Sequence, residues 1–143
     1  MKIKNVKVHL RKLIKNKKGN ILKYISKKDV FIKQFGEVYF SYINKNKTKG
    51  WNLHKKNKCF IICLYGQVLV HLIDQRKLSK SFNQEMKINL NSSKGKILEI
   101  PSKVYFSLNS KKKDSIICNF LEFPHSKRET IKASKVKQYL IPN

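Results

Sequence analysis

The chain has few acidic residues, few arginines and almost no alanine. Its 143 residues include 8 Asp and Glu against 33 Lys and Arg, which gives a formal net charge of +25. Arginine occurs only at Arg11, Arg76 and Arg128, and Ala133 is the sole alanine. Proteins that recognise nucleic-acid sequences usually rely on arginine and stacked aromatic side chains. AT-rich codons, which favour lysine, therefore account for the positive charge. We expect no specific nucleic-acid partner.

Cysteines and long apolar runs are also scarce. Cys59, Cys63 and Cys118 cannot form an even disulfide framework, and free cysteines within apolar runs behave as small hydrophobic residues. The longest uninterrupted apolar run, 60–65, is far shorter than a membrane-spanning helix. Residues 1–5 lack the apolar region of a signal peptide. We therefore expect a cytoplasmic protein without a membrane partner.

Short apolar or alternating segments are spread along the chain, whereas helical periodicity is scarce. Gly66 and Gln67 separate two apolar runs and predict a tight hairpin, because glycine tolerates positive φ. Only the tail after Glu129 is a helix candidate. Strands are predicted at 6–10, 21–25, 38–43, 59–65, 68–73, 97–100, 104–108 and 115–123. This pattern predicts an all-β antiparallel sandwich or barrel, formed by a single domain over 1–143 with a short C-terminal tail.

Several motifs follow one another in a characteristic order. They lie at 35–41 (FGEVYFS), 49–55 (KGWNLHK), Gly66, 74–76 (DQR), 79–82 (SKSF), 100–101 (IP) and 124–125 (PH). With these motifs the chain resembles the deoxythymidine diphosphate (dTDP)-4-dehydrorhamnose 3,5-epimerase-like and sugar 3,4-ketoisomerase-like proteins of the cupin superfamily. The resemblance implies a cupin jelly roll, a homodimer and no cofactor. It also implies a dTDP-linked 4-keto-6-deoxy sugar as substrate, in surface polysaccharide biosynthesis.

The implied reaction removes a proton next to the ketone of the sugar. It needs a base with a pKa near neutral, a group that stabilises the enolate oxygen, and an acid on the opposite face of the sugar. Asn52 stands where the family has its catalytic histidine, and an amide cannot take up the proton. His54 lies two residues further along the same strand face and is the candidate base. A packed histidine in the barrel wall is the alternative interpretation.

The resemblance also implies roles for other residues of the pocket. The family's general-acid tyrosine aligns with Pro124 or His125, and we expect His125 or Tyr105 to return the proton. Lys49 keeps the basic position before a glycine and would neutralise the diphosphate. We expect the substrate to contact Asn52, Trp51 and Tyr39. The alternative for the aromatic residues is packing in the core. The alternative for His125 is a position in a surface loop.

The chain departs from the family at further positions. Cys59, Ile62 and Phe106 stand where the family has a lysine, an arginine and a histidine. Of the four ligand positions of a metal-binding cupin only His54 remains, so we expect no metal. Three functions stay open: a 3,5-epimerase with an altered site, a 3,4-ketoisomerase, and a cupin that binds nucleotide sugars without reaction.

Overall fold

The computed structural model describes residues 2–133, and strands make up its regular structure. Within this part of the chain there is no helix. The strands are β1 (Lys7–Leu10), β2 (Leu13–Ile14), β3 (Ile21–Leu22), β4 (Glu37–Ile43), β5 (Lys47–His54), β6 (Cys59–Tyr65), β7 (Gln67–Asp74), β8 (Glu85–Asn91), β9 (Lys96–Ile100), β10 (Val104–Ser110), β11 (Ser115–Leu121) and β12 (Thr130–Lys132).

Ten of these strands form two five-stranded antiparallel sheets. The first sheet has the order β1-β9-β6-β11-β4, and the second has the order β12-β5-β10-β7-β8. Strands β2 and β3 form a separate small hairpin. Strands that follow each other in the chain, such as β4 and β5, belong to different sheets, so the chain crosses repeatedly between them. The predicted all-β cupin jelly roll is confirmed.

The core lies between the two sheets and follows from the alternation of side chains along each strand. On β7, Val68, Val70 and Leu72 are fully buried, whereas Leu69 and His71 between them are partly exposed on the outer face. This period of two residues is the geometry that a strand imposes. Strand β8 follows the same rule, since its apolar side chains, including Ile88 and Leu90, point inward.

A connecting segment covers half of the outer face of the first sheet. Tyr24, Phe31 and Ile32 pack on a buried cluster formed by Phe60, Ile62, Ile97, Cys118 and Phe120. The other half, along β4, stays uncovered: Val38, Phe40 and Tyr42 are 43%, 57% and 64% exposed. The first sheet therefore ends in an apolar outer face at its β4 edge.

The hairpin predicted at Gly66 is wrong. Strand β6 pairs with β9 and β11, while β7 pairs with β10 and β8, so the turn at Gly66 carries the chain from one sheet to the other. Gly66 has φ 78°, and a Cβ atom there would clash with Ser115 and with the carbonyl of Asp114. Glycine is needed for this turn, although the two strands do not pair.

The helix predicted after Glu129 is also wrong for the described part of that segment. Residues Thr130–Lys132 form β12, which pairs with β5 at the edge of the second sheet. An edge strand offers unpaired amides and carbonyls, and β12 satisfies those of β5. The rest of the predicted helix, 134–143, lies outside the described residues, so the single-domain assignment over 1–143 stays a prediction.

Candidate active site

A cavity of about 320 Å³ lies between the inner faces of β4 and β5, where β12 and the segment before it close the barrel. Four residues predicted for the site line it: Tyr39, Asn52, His54 and His125. Glu37, Phe106, Thr130 and Lys132 complete the lining. The structure therefore brings together two candidate catalytic histidines with two candidate substrate-binding residues.

His54 is buried in the wall of this cavity and is held at one ring nitrogen. Its Nδ1 lies 3.0 Å from Oε2 of Glu129 and 3.2 Å from Oγ1 of Thr130. An ionised carboxylate only accepts hydrogen bonds, so Nδ1 carries the proton in this tautomer. Nε2 is buried and has no hydrogen-bond partner among residues 2–133. His54 therefore lines the pocket and keeps a free lone pair on an unpaired imidazole nitrogen.

The environment favours the neutral form of this histidine. Burial lowers the pKa of His54 below its usual range, and this effect outweighs the bond and charge of Glu129, which raise the pKa. The nearby His125 lowers it further. A neutral imidazole whose second nitrogen is bound to a carboxylate is able to accept a proton and is stabilised once it has done so.

Glu129 is fixed by the backbone of the segment that follows β5. Its Oε1 accepts hydrogen bonds from the amides of Lys56 and Asn57, both at 2.6 Å. Burial alone would raise the pKa of Glu129, but these amides and His54 together lower it. Glu129 therefore stays ionised and sets the orientation of the His54 ring.

The segment that carries His125 is anchored at several points. Asn57 donates to the carbonyl of Phe123 at 2.7 Å and accepts from its amide at 3.2 Å. Gly36 lies so close to the backbone of Phe123 that any Cβ atom would clash. The amide of His125 itself donates to Oε2 of Glu37 at 2.6 Å. The contacts of Phe123 with Asn57 and Gly36, and the bond from the His125 amide to Glu37, together hold His125 at the pocket.

Tyr39 lies on the inner face of β4, and its hydroxyl is fixed from behind. The buried Asn119 donates to the Tyr39 oxygen at 2.8 Å. Burial raises the pKa of Tyr39, and nearby Cys59 and Glu37 raise it further, so the phenol stays protonated. Since its oxygen already accepts a bond from Asn119, its own proton is available to a ligand in the pocket.

A bulge in β5 brings Lys49 to the inner face. Phe106 on β10 pairs with Asn52, whereas Leu108 pairs with Lys49, so β5 has one extra residue in this interval. A bulge of this kind reverses which side chains point inward. Lys49 consequently reaches across to β4, where its Nζ donates to Oγ of Ser41 at 2.9 Å. Lys49 thus lies on the inner face of β5, although it does not line the pocket.

Trp51 and Tyr105 lie elsewhere, which differs from the expectation for both. They belong to a cluster on the outer face of the second sheet, together with Leu53 and Ile73. Trp51 contacts the ring of His71 with 4.8 Å between the ring centroids. The reason is strand alternation, since the neighbours Asn52 and Phe106 point into the barrel. Neither side chain lines the pocket of the described chain.

Sequence reasoning missed several polar groups of the pocket. Thr130 and Lys132 pair with His54 and Asn52 across the β12–β5 ladder, so their side chains share the inner face. The sequence does not reveal them, because the tail after Glu129 is predicted as a helix. Glu37 belongs to the 35–41 motif, and its position two residues before Tyr39 on an alternating strand is the signal that places it on the same face.

The donor set offers little for a metal ion. Within residues 2–133 no group of three or more His, Cys, Asp or Glu side chains is placed to hold one.

Phe106 lies across from His54 with 5.8 Å between the rings and gives that side of the pocket an apolar surface. No helix in the described range could span a membrane.

The fold is shared with solved structures of dTDP-sugar enzymes. A dTDP sugar isomerase from Desulfovibrio desulfuricans G20 is 20% identical, with a TM-score of 0.90, and the match covers 99% of this chain and 91% of that one. The dTDP-4-dehydrorhamnose 3,5-epimerase from Bacillus anthracis, solved with TDP and PPi bound, is 17% identical, with a TM-score of 0.85 and coverages of 99% and 89%.

A third neighbour was solved with a sugar nucleotide. It is the dTDP-6-deoxy-D-glucose-3,5-epimerase from Legionella pneumophila in complex with dTDP-4-keto-L-rhamnose, which is 15% identical, with a TM-score of 0.86 and coverages of 98% and 78%. At these identities the similarity establishes the fold. A comparison with curated protein sequences finds no match.

Membership of a family is decided by a match along the sequence. The model of the family described as "FdtA: WxcM-like, C-terminal" matches residues 4–139, which is nearly the whole chain and includes every element of the pocket. The chain therefore belongs to the FdtA, WxcM-like C-terminal family.

Proposed function

We propose that this protein isomerises a dTDP-linked 4-keto-6-deoxy sugar, with His54 as the base. The observation that carries the proposal is the unpaired, buried Nε2 of His54 in the pocket wall, backed by the ionised Glu129 at Nδ1. The fold neighbours that act on dTDP sugars support the choice of substrate.

The first step is the transfer of a proton from the carbon next to the ketone to Nε2 of His54. The electron pair of the broken C–H bond forms a C=C bond, and the carbonyl π electrons move to oxygen as an enolate. Asn52 offers an amide N–H and Tyr39 a phenolic O–H toward this oxygen, both from the pocket lining. Such donors stabilise charge that develops in the transition state.

The second step returns a proton to carbon. His125 lies in the lining and is held by Glu37 and the anchored segment 123–129, so it is our candidate for the acid. Return on the opposite face inverts the carbon, which is the epimerase outcome. Tyr105, on the outer face, is left out of this scheme.

Charged side chains are distributed unevenly along the pocket, which sets the orientation of a bound substrate. His54, Glu129, Glu37 and His125 cluster at one end, whereas Lys132 beside Asn52 and Lys49 beyond it supply positive charge at the other. We place the sugar at the histidines and the diphosphate at the lysines, because ammonium groups neutralise phosphate oxygens.

A 3,4-ketoisomerase is the second candidate. Here the same base removes the proton from C3, a proton then moves from the C3 hydroxyl oxygen to the C4 oxygen, and C4 is protonated, so that the ketone lies at C3. The single imidazole of the β5 motif, His54, favours it, because this reaction can use one base on one face of the sugar.

The remaining parts of the proposal concern the setting. We propose a homodimer, supported by the uncovered apolar face of β4. We place the reaction in the cytoplasm, as a step of surface polysaccharide synthesis, and the buried free thiols of Cys59, Cys63 and Cys118 support a reducing compartment.

The test follows solvent deuterium into dTDP-4-keto-6-deoxyglucose by NMR with purified protein. We expect incorporation next to the ketone, and the product distinguishes the candidates: exchange at C3 and C5 indicates epimerisation, and a ketone at C3 indicates ketoisomerisation. His54→Ala should reduce the rate by about 10²- to 10⁴-fold, the usual worth of a general base.

The matched control is His71→Ala, which removes a histidine on the outer face that is paired with Glu85. It should keep wild-type activity. Binding of dTDP without exchange by the wild type would support a non-catalytic binding protein, and full activity in His54→Ala would remove His54 from the mechanism.

A further inference from the structure

A second groove lies on the outer face of the second sheet, on the side of the barrel wall away from the active-site cavity. It has a volume of about 230 Å³ and is lined by Gln67, Leu69, Asn89, Asn109, Lys111 and Lys112. None of these residues takes part in the proposed reaction. The groove shares no lining residue with the active-site cavity.

The groove is built on one row of residues that runs straight across four strands. Asn109 on β10 pairs with Leu69 on β7 and with Thr48 on β5, and Leu69 pairs in turn with Asn89 on β8. Residues that pair directly in a sheet point to the same face. Leu69 therefore forms an apolar floor with a carboxamide on each side of it.

One of these carboxamides is incompletely bonded. Nδ2 of Asn109 donates to Oγ1 of Thr48 at 2.6 Å, while its Oδ1 is buried and has no partner among residues 2–133. Turning the amide over only exchanges which of the two atoms is left unpaired. A buried polar atom without a partner is costly, and rotation of the Asn109 side chain toward a ligand in the groove would supply the missing bond.

The residues around the floor indicate the chemistry of such a ligand. Carboxamides both donate and accept hydrogen bonds, which suits hydroxyl groups. Lys111 and Lys112 add positive charge at one end, and no acidic side chain is among the lining residues. Leu69 offers a flat apolar contact for the C–H face of a ring. A small hydroxylated anion meets all of these requirements.

We propose that this groove is a second binding site, for an anionic sugar unit that carries a phosphate or a carboxylate. The ring lies on Leu69 between Asn89 and Asn109, and the anionic group faces Lys111 and Lys112. The site is independent of the proposed isomerase function, because it needs neither His54 nor a nucleotide.

The test uses the ¹⁵N-labelled full chain and follows backbone and side-chain amide signals by NMR. The probes are glucose 6-phosphate, glucuronate, glucose and inorganic phosphate. We expect at least one sugar anion to shift the side-chain signals of Asn89 and Asn109, with an affinity about fivefold or more above that of glucose or phosphate. The responses to glucose 6-phosphate and glucuronate identify which anionic group the lysines bind.

Variants assign the effect to the groove. Asn89→Ala alters an exposed side chain and should weaken binding by about fivefold, the worth of one hydrogen bond, as should the double variant Lys111→Gln/Lys112→Gln. Lys94→Gln, on the β8–β9 connection outside the groove, removes one positive charge and should bind normally. Equal responses to phosphate and sugar anions, unchanged binding in Asn89→Ala, or shifts confined to the His54 pocket would each overturn the proposal.

Discussion

At the scale of single residues, the pair of His54 and Glu129 has the clearest chemical consequence. The carboxylate at Nδ1 raises the proton affinity of the ring, against burial, which lowers it. The site therefore balances two opposing effects on one imidazole. Because burial prevails, the pKa of His54 lies below its usual range, so the base is neutral over most of the neutral pH range.

The pH dependence of the Glu129→Gln variant tests this balance. With the wild type, the acidic limb of kcat/KM should rise with pH through the lowered pKa of His54, which lies below about 6.5, the ordinary value for histidine. Loss of the carboxylate destabilises the imidazolium, so the acidic limb should move to lower pH. At the pH of maximal activity, kcat should fall by about 10- to 100-fold, the worth of a charge-assisted hydrogen bond.

The pH profile separates this role from a structural one. If Glu129 only supported the fold through the amides of Lys56 and Asn57, the variant would lose activity without moving the limb. A limb that moves to higher pH would contradict the predicted direction. Glu85→Gln, which alters the carboxylate paired with His71 on the outer face, is the matched control and should leave the profile unchanged.

At the scale of elements, the bulge in β5 determines which residues reach the pocket. A regular strand would place Lys49 on the same face as Trp51 and Leu53. With one extra residue between the pairs Phe106–Asn52 and Leu108–Lys49, the lysine points inward. Gly50 lies within the bulge with φ 108°, and a Cβ atom there would come within 2.7 Å of the carbonyl oxygen of Phe106.

We expect Gly50→Ala to damage both stability and phosphate binding. The side chain adds strain at a positive φ and a clash, which should lower the free energy of unfolding by about 1–3 kcal/mol. If the bulge relaxes, Lys49 loses its position, and dTDP should bind more weakly. Chemical denaturation and calorimetric titration with dTDP measure the two effects.

Gly19→Ala provides the comparison for that experiment. Gly19 also has a positive φ, 138°, but a Cβ atom there meets nothing within 4 Å. This variant should lose some stability from backbone strain and bind dTDP normally. Wild-type dTDP affinity in Gly50→Ala would show that the bulge is not needed to position Lys49.

At the scale of the whole molecule, the uncovered face of β4 stands out in a highly charged chain. Val38, Phe40 and Tyr42 form an exposed apolar stripe on an edge strand, while the segment around Phe31 covers the opposite half of the same sheet. Exposed apolar faces of this kind mark interaction surfaces. A second copy of the chain is the partner that we propose.

Phe40→Lys tests this surface in solution. Light scattering of the wild type should give a mass twice that of the 16.9 kDa chain, and the variant should give the mass of one chain. Burying a lysine in an apolar interface removes an anchor and adds an unpaired charge. Leu78→Lys changes an isolated, fully exposed leucine and should remain dimeric. A monomeric wild type, or a dimeric Phe40→Lys, would contradict the proposal.

The strand pattern and the family motifs made the fold and much of the site predictable. The apolar run Cys59–Tyr65 predicts a buried strand from its own residues. Asn52 and His54 share one face of β5 because side chains alternate along a strand with a period of two. Those features depend on residues that are close in sequence. They can therefore be predicted from local sequence patterns.

Tertiary structure decided what depends on strands that meet from distant parts of the chain. The sequence marked a turn at Gly66, but only packing shows that it joins two sheets instead of two paired strands. The sequence indicated Lys49, Trp51 and Tyr105 equally as pocket residues. In the structure the bulge turns Lys49 to the inner face, whereas strand alternation turns Trp51 and Tyr105 to the outer face. Glu129 became the partner of His54, 75 positions away, only because β12 pairs with β5. Local periodicity determines which residues can share a face, whereas long-range pairing determines which faces meet.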